Sequence, residues 1–137
     1  MKTAALLRPG VSSRSIEPFR NVGCDIQIQE NLEHPEHLAA ALIFGGDGTI
    51  HRHLPQLHQL QIPVLMVPKG RGNDFAKALG ITNERVALQA WRQFCFSGQN
   101  VKQIDLGLIR SGAEEILFCC VAAFVVGIVI SIASLLS

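Results

Sequence analysis

The sequence predicts an α/β fold, an open and mostly parallel sheet with helices on both faces. Three observations predict it. Short apolar runs alternate with stretches of helical apolar spacing along the 137 residues, the pattern of strands joined by crossover helices. Two of the runs, at 39–44 and 63–67, end in polar, glycine-rich turns that lead into helical sequence. The length suits one domain with a real core, and no internal repeat or low-complexity linker interrupts it.

Each element follows from its own residues. Residues 3–8 read as a first strand that ends at Pro9-Gly10. A short helix over 15–22 follows, weakened by Pro18, and Ser12, Ser13 and Ser15 can cap or line the turn before it. Residues 24–29 alternate apolar and polar, the period of a strand. Residues 34–40 read as a short helix that enters a third strand at 41–44. Beyond it, Ile50, Leu54, Leu57 and Leu60 recur at helical spacing. Pro55 falls inside that helix, where proline costs about 3 kcal/mol, so the helix is expected to kink, or to stop near His53 and restart. Residues 64–67 form a fourth strand, and 76–79 have helical propensity. Asn83 and Glu84 offer a cap and an acidic first turn. The helix they open carries Val86, Ala87, Ala90, Trp91 and Phe94 on one face, with Trp91 as core, and ends near Ser97-Gly98. Residues 101–109 and 114–122 read as two more strands. The first four strands form the parallel part.

The chemistry concentrates at two turns. Gly45-Gly46-Asp47-Gly48-Thr49 places three glycines and a carboxylate between a strand and a helix. Glycine there lets another group approach the backbone, and the N–H groups that open the next helix favour an anion. The second turn, Lys69-Gly70-Arg71-Gly72-Asn73-Asp74, adds two cations that suit a polyphosphate. Asn73 or Asp74 could instead cap the helix that follows. In an open parallel sheet, ligands bind at the carboxyl ends of the strands, so both turns are expected to face one ligand. Neither turn matches the dinucleotide pattern G-x-G-x-x-G or the P-loop.

Together with Phe75 and Ala76, these two turns resemble the diacylglycerol kinase catalytic domain, a family that includes bacterial lipid kinases and sphingosine kinases. The first turn alone is shared with NAD kinases; the second, continued by Lys77-Ala78-Leu79-Gly80-Ile81, points to the lipid kinase branch. The likeness covers roughly residues 2–121 and implies an NAD kinase-like or diacylglycerol kinase-like N-terminal domain. It implies ATP with Mg2+ as cofactors, and a lipid hydroxyl at a membrane surface as acceptor. Gly45, Gly46, Gly48, Thr49, Gly70, Arg71, Gly72, Asn73 and Asp74 would then bind the nucleotide. Asp47 would be the catalytic acid–base group, or would hold a magnesium-bound water. The family has Asn where Arg8 stands and often Thr or Ser where Arg71 stands, and Gln29 lies near the position of a nucleotide-contacting Thr. A second, β-rich domain normally follows and usually supplies the acid that activates the lipid hydroxyl.

Other classes find little support. Net charge is +1, there is no tyrosine and no basic tract, so nucleic acid is not an expected partner. Cys24, Cys95, Cys119 and Cys120 lack C-x-x-C spacing, and His34, His37, His51, His53 and His58 lack zinc-site spacing, so no metal centre and no redox motif is expected. Free thiols and the lack of a signal peptide fit the cytoplasm. From Ile116 onward no residue is charged. That stretch is long enough to span a bilayer, which takes about 20 apolar residues, but its β-branched content also suits a strand. A nucleotide-binding domain at 1–121 with an apolar tail at 122–137 is the expected organisation. Three functions remain open: a lipid kinase catalytic unit that lacks its second domain, an NAD kinase-like small-molecule kinase, and a non-catalytic nucleotide-binding or membrane-tethered fragment. The sequence leaves the oligomeric state unknown.

Overall fold

A computed structural model describes residues 2–22, 24–32, 37–111, 114–118 and 129–135, with side chains described through Val101. The strands are β1 (Lys2–Leu7), β2 (Asp25–Ile28), β3 (Leu38–Gly45), β4 (Val64–Pro68), β5 (Val101–Ser111), β6 (Glu114–Phe118) and β7 (Val129–Leu135). The helices are α1 (Glu17–Arg20), α2 (Asp47–Leu60), α3 (Asp74–Ala78) and α4 (Glu84–Ser97), with a 3₁₀ turn at Ser13–Ile16. The strands form one sheet in the order β2-β1-β3-β4-β7-β5-β6. The first four run parallel, as the sequence predicts. Next to them β7 meets β4 at Val64 and Ser134, and β5 pairs antiparallel with both β7 and β6. The chain therefore forms an α/β fold built on a parallel sheet.

The route explains the layers. From β1 the chain steps outward to β2, whereas from β3 it steps the opposite way to β4. Right-handed crossovers then put α1 and α2 on opposite faces. Trp91 ties α4 to the α1 side, donating from Nε1 to the Phe19 carbonyl at 3.2 Å. The central strands are covered on both sides: Leu42, Ile43 and Phe44 of β3 and Leu65, Met66 and Val67 of β4 are all buried. Continuous apolar runs of this kind are what a doubly covered parallel sheet requires.

Several local expectations change. The helix predicted over 34–40 gives way to β3, which already begins at Leu38; residues 34–36 lie outside those described. Pairing of Ala40 and Ala41 with β1 outweighs the helical preference of alanine. Pro55 does not stop α2, which runs from Asp47 to Leu60 without a break. The buried face of Ile50, His53, Leu54 and Leu57 holds the helix, while Pro55 lies on the exposed side. Pro18 splits the first helix into the 3₁₀ turn, capped by the Ser12 side chain, and α1. Asn83 caps α4 as expected, accepting from the Val86 N–H at 2.9 Å, and Gly98 ends it with φ +67°. The strand expected over 114–122 is described over 114–118 as β6, and of the apolar tail at 122–137 residues 129–135 form β7; residues 119–128 and 136–137 lie outside those described. Among the described residues no helix is long and apolar enough to cross a membrane.

Candidate functional site

The site forms where β3 and β4 end. Gly46 precedes α2 in an extended conformation and offers no side-chain cap. The first N–H groups of a helix have no acceptor within it, so those of α2 must find partners elsewhere. One does: the Asp47 N–H donates to the Gly72 carbonyl at 2.7 Å. This bond joins the two glycine-rich turns at one edge of the sheet.

Glycine is required for that contact. A Cβ on Gly46 would stand 2.4 Å from the Gly72 carbonyl oxygen, and one on Gly70 would stand 2.8 Å from the Gly46 Cα. Backbone meets backbone, and neither side can yield by rotating a side chain. Asn73 closes the second turn on itself, accepting from the Gly70 N–H at 3.3 Å and donating to the Gly70 carbonyl at 2.7 Å.

The Asp47 carboxylate is already engaged. Its Oδ2 accepts the Asp74 N–H and its Oδ1 the Phe75 N–H, each at 3.1 Å. Asp47 thus caps α3 from across the cleft. The sequence suggests Asn73 or Asp74 for that cap, but Asn73 makes no such bond and the Asp74 side chain is exposed.

A cavity of about 280 Å³ opens beside this junction. Its lining includes Gly46, Asp47, Gly48, Thr49, Gly70, Arg71 and Gly72, all singled out from the sequence. Gly45, Asn73 and Asp74 are not part of the lining and instead build its frame: a Cβ on Gly45 would fall 2.3 Å from the Thr49 Oγ1. Lys69 is turned aside, paired with Glu84. Two further cations take its place, Arg8 and Arg52. The Arg8 Nη1 donates to the Lys69 carbonyl at 3.0 Å. The signal for Arg8 was its position at the carboxyl end of β1, whose Leu7 pairs with Phe44 of β3. The signal for Arg52 was helical phase, about one turn beyond Gly48.

The histidines have other work. The His51 Nδ1 lies 2.6 Å from the Asp47 carbonyl, and His58 contacts Gln61. His53 is buried, and burial together with the neighbouring Arg52 cation holds its pKa below the usual 6.5. Among the described residues no three His, Cys, Asp or Glu side chains gather as a metal cluster.

Fold and pocket together define a class, the α/β domains whose glycine-rich turns meet at the carboxyl edge of a parallel sheet, the edge where open α/β sheets bind their ligands. Within that class the chain belongs to the diacylglycerol kinase catalytic domain family, whose model matches residues 22–109. Its fold is similar to that of a diacylglycerol kinase from Bacillus anthracis str. Sterne, with a TM-score of 0.59 and 18% identity over 77% of this chain and 42% of the other. It is also similar to an NAD kinase from Archaeoglobus fulgidus in complex with ATP, with a TM-score of 0.55 and 18% identity over 77% and 41%. The chain thus spans about two fifths of the length of these structures. No curated protein matches it.

Proposed function

We propose that this chain supplies the nucleotide-binding side of an ATP-dependent lipid kinase. The observation that carries the reading is the backbone junction of the two turns, Asp47 N–H to Gly72 carbonyl, beside a pocket lined by three arginines. Phosphoryl transfer depends on positioning and charge neutralisation more than on covalent help, and these residues offer both. Gly48 is open on the side where a Cβ would project, with nothing within 4 Å, and admits phosphate oxygens close to the backbone. Thr49 would donate its hydroxyl, since its N–H already donates to the Gly46 carbonyl at 3.1 Å.

Among the described residues Asp47 is the one carboxylate on the pocket, and each of its oxygens keeps a lone pair beyond the bond to α3. Mg2+ carried on a polyphosphate usually needs only one or two carboxylates, so Asp47 fits as the group that holds it through water. The ion would neutralise charge on the phosphate oxygens. A second acid to deprotonate the acceptor hydroxyl does not line the pocket among the described residues. Loss of such help lowers a rate by roughly 10²–10⁴-fold. ATP binding with slow transfer is therefore expected of residues 1–137.

The lipid acceptor is favoured over NAD because Gly72-Asn73-Asp74-Phe75 follows the lipid kinase pattern. The test is calorimetric titration with ATP, followed by ADP-release assays with diacylglycerol in mixed micelles and with NAD. We expect ATP binding and slow release that diacylglycerol, not NAD, accelerates. Acceleration by NAD alone would overturn the lipid assignment, and absence of ATP binding would overturn the nucleotide assignment.

A further inference from the structure

Three guanidinium groups line one small pocket from three different parts of the chain. Arg8 stands just beyond β1, Arg52 lies on α2, and Arg71 lies on the turn between β4 and α3. All three are exposed to solvent at the pocket. None forms an ion pair with a carboxylate among the described residues, where the pairs found are Arg20–Glu17 and Lys69–Glu84. The pocket's carboxylate, Asp47, accepts one N–H of α3 on each oxygen. Among the described residues three cations thus face one carboxylate, whose single charge offsets only one of them, which leaves a net positive field in a concave site. One of the three is also oriented, since Arg8 is held by the Lys69 carbonyl.

Size narrows the ligand. Pockets that enclose a drug-sized molecule measure about 300–1,000 Å³, and this one measures about 280 Å³. Among the described residues no aromatic side chain is part of its lining. It can enclose a chain of phosphates but gives a nucleobase nothing to stack on.

We propose that Arg8, Arg52 and Arg71 form a triphosphate-reading site, so that the pocket selects its ligand by phosphate charge ahead of base identity. The inference rests on the nucleotide reading above and adds the residues that set specificity within it. Each guanidinium makes charge-assisted hydrogen bonds to phosphate oxygens, and a bidentate fork suits two oxygens at once. A hydrogen bond to a charged group contributes about 1.5–3 kcal/mol, or roughly ten- to a hundredfold in affinity.

The test is a titration series on the 137-residue chain at fixed ionic strength. The ligands are ATP, GTP, ADP, AMP and inorganic tripolyphosphate. ATP, GTP and tripolyphosphate are expected to bind within about fivefold of one another, and AMP about a hundredfold more weakly. Arg52→Gln and Arg71→Gln should each weaken ATP and tripolyphosphate about tenfold or more. Arg85→Gln removes the same charge from an exposed position on α4 that is not part of the lining, and should change neither. Thermal melts of the variants separate lost binding from lost folding. Binding of ATP without tripolyphosphate would overturn the triphosphate site and leave the nucleotide reading standing. Arginine-dependent binding of tripolyphosphate without ATP would do the reverse. Losses in Arg52→Gln and Arg71→Gln no larger than in Arg85→Gln would also overturn it.

Discussion

Gly46 and Gly48 belong to one turn but serve different ends. Gly46 lies against the other turn, where a Cβ would meet the Gly72 carbonyl at 2.4 Å and the Gly70 Cα at 3.3 Å. Gly46→Ala must push the turns apart, an overpacking cost of about 1–3 kcal/mol, and it should abolish ligand binding with that shift. Gly48 has nothing within 4 Å of its Cβ position and sits in the first turn of α2, lining the pocket. Alanine is favoured over glycine in a helix by roughly 0.5–1 kcal/mol. Gly48→Ala should therefore raise the melting temperature of the free chain slightly while weakening ATP, because the new methyl would project into the open space proposed for phosphate. Thermal melts with and without ATP check both: Gly46→Ala lowers the unliganded midpoint, and Gly48→Ala loses only the ligand-induced rise. Equal behaviour of the two variants would contradict the division. The glycines were legible in the sequence because few other roles place three of them after a strand. Their partner contacts were not, since Gly46 and Gly72 meet only once β3 and β4 lie side by side.

At the scale of elements, α2 shows both what the pattern carries and what it misses. The recurrence of Ile50, Leu54 and Leu57 predicts the helix, and all three are buried. Pro55 argues for a break, yet its cost of about 3 kcal/mol is comparable to burying one or two of those side chains, at about 1.5–3 kcal/mol each. The apolar face wins because Pro55 sits opposite it. His53 is the unexpected member of that face, 5% exposed. Burial, the larger cause, and the Arg52 charge lower its pKa, and a hydrogen bond with Gln56 opposes them. The sign follows from linkage: below pH 6.5 the unfolded chain takes up a proton that the folded chain refuses. Stability should be fully present above pH 6.5 and should fall as the pH drops below it. Denaturant midpoints between pH 7.5 and 5 check this, and His53→Leu should flatten the part of the slope owed to this residue. An unchanged slope in that variant would place the titration elsewhere.

The whole molecule brings together residues that no local pattern pairs. Cys24, just before β2, and Cys95, near the end of α4, are 71 positions apart and carry no C-x-x-C signature, yet their sulfurs lie 2.9 Å apart. Both are free thiols. Burial, then the hydrogen bond and charge of Cys24, push the Cys95 thiol up to about 12. Thiolate is the reacting form, so Cys95 carries little of it at neutral pH and is a poor attacking group. Once joined, however, the bridge would close a long loop across the face formed by α1 and α4. For a loop of 71 residues the chain-entropy model gives about 4 kcal/mol. Such a gain should raise the melting temperature by about 15 °C in a domain of this size. Incubation with oxidised glutathione at pH 8.5, then peptide mapping and thermal melts, measures both the link and its effect. Thiol–disulfide exchange transfers the two electrons to glutathione, with a mixed disulfide as intermediate. Cys95→Ser should remain at the reduced midpoint under the same treatment. The reduced chain carries the opposite pH signature to that of His53. Because the folded thiol ionises above the usual 9.0, its contribution is present below pH 9 and fades as the pH rises toward 12. Oxidation removes the titrating thiol, so the bridged chain should lose that alkaline slope along with its lower midpoint. A mapped Cys24–Cys95 link with no rise in midpoint would show that native strain in the bridge offsets the entropy it removes.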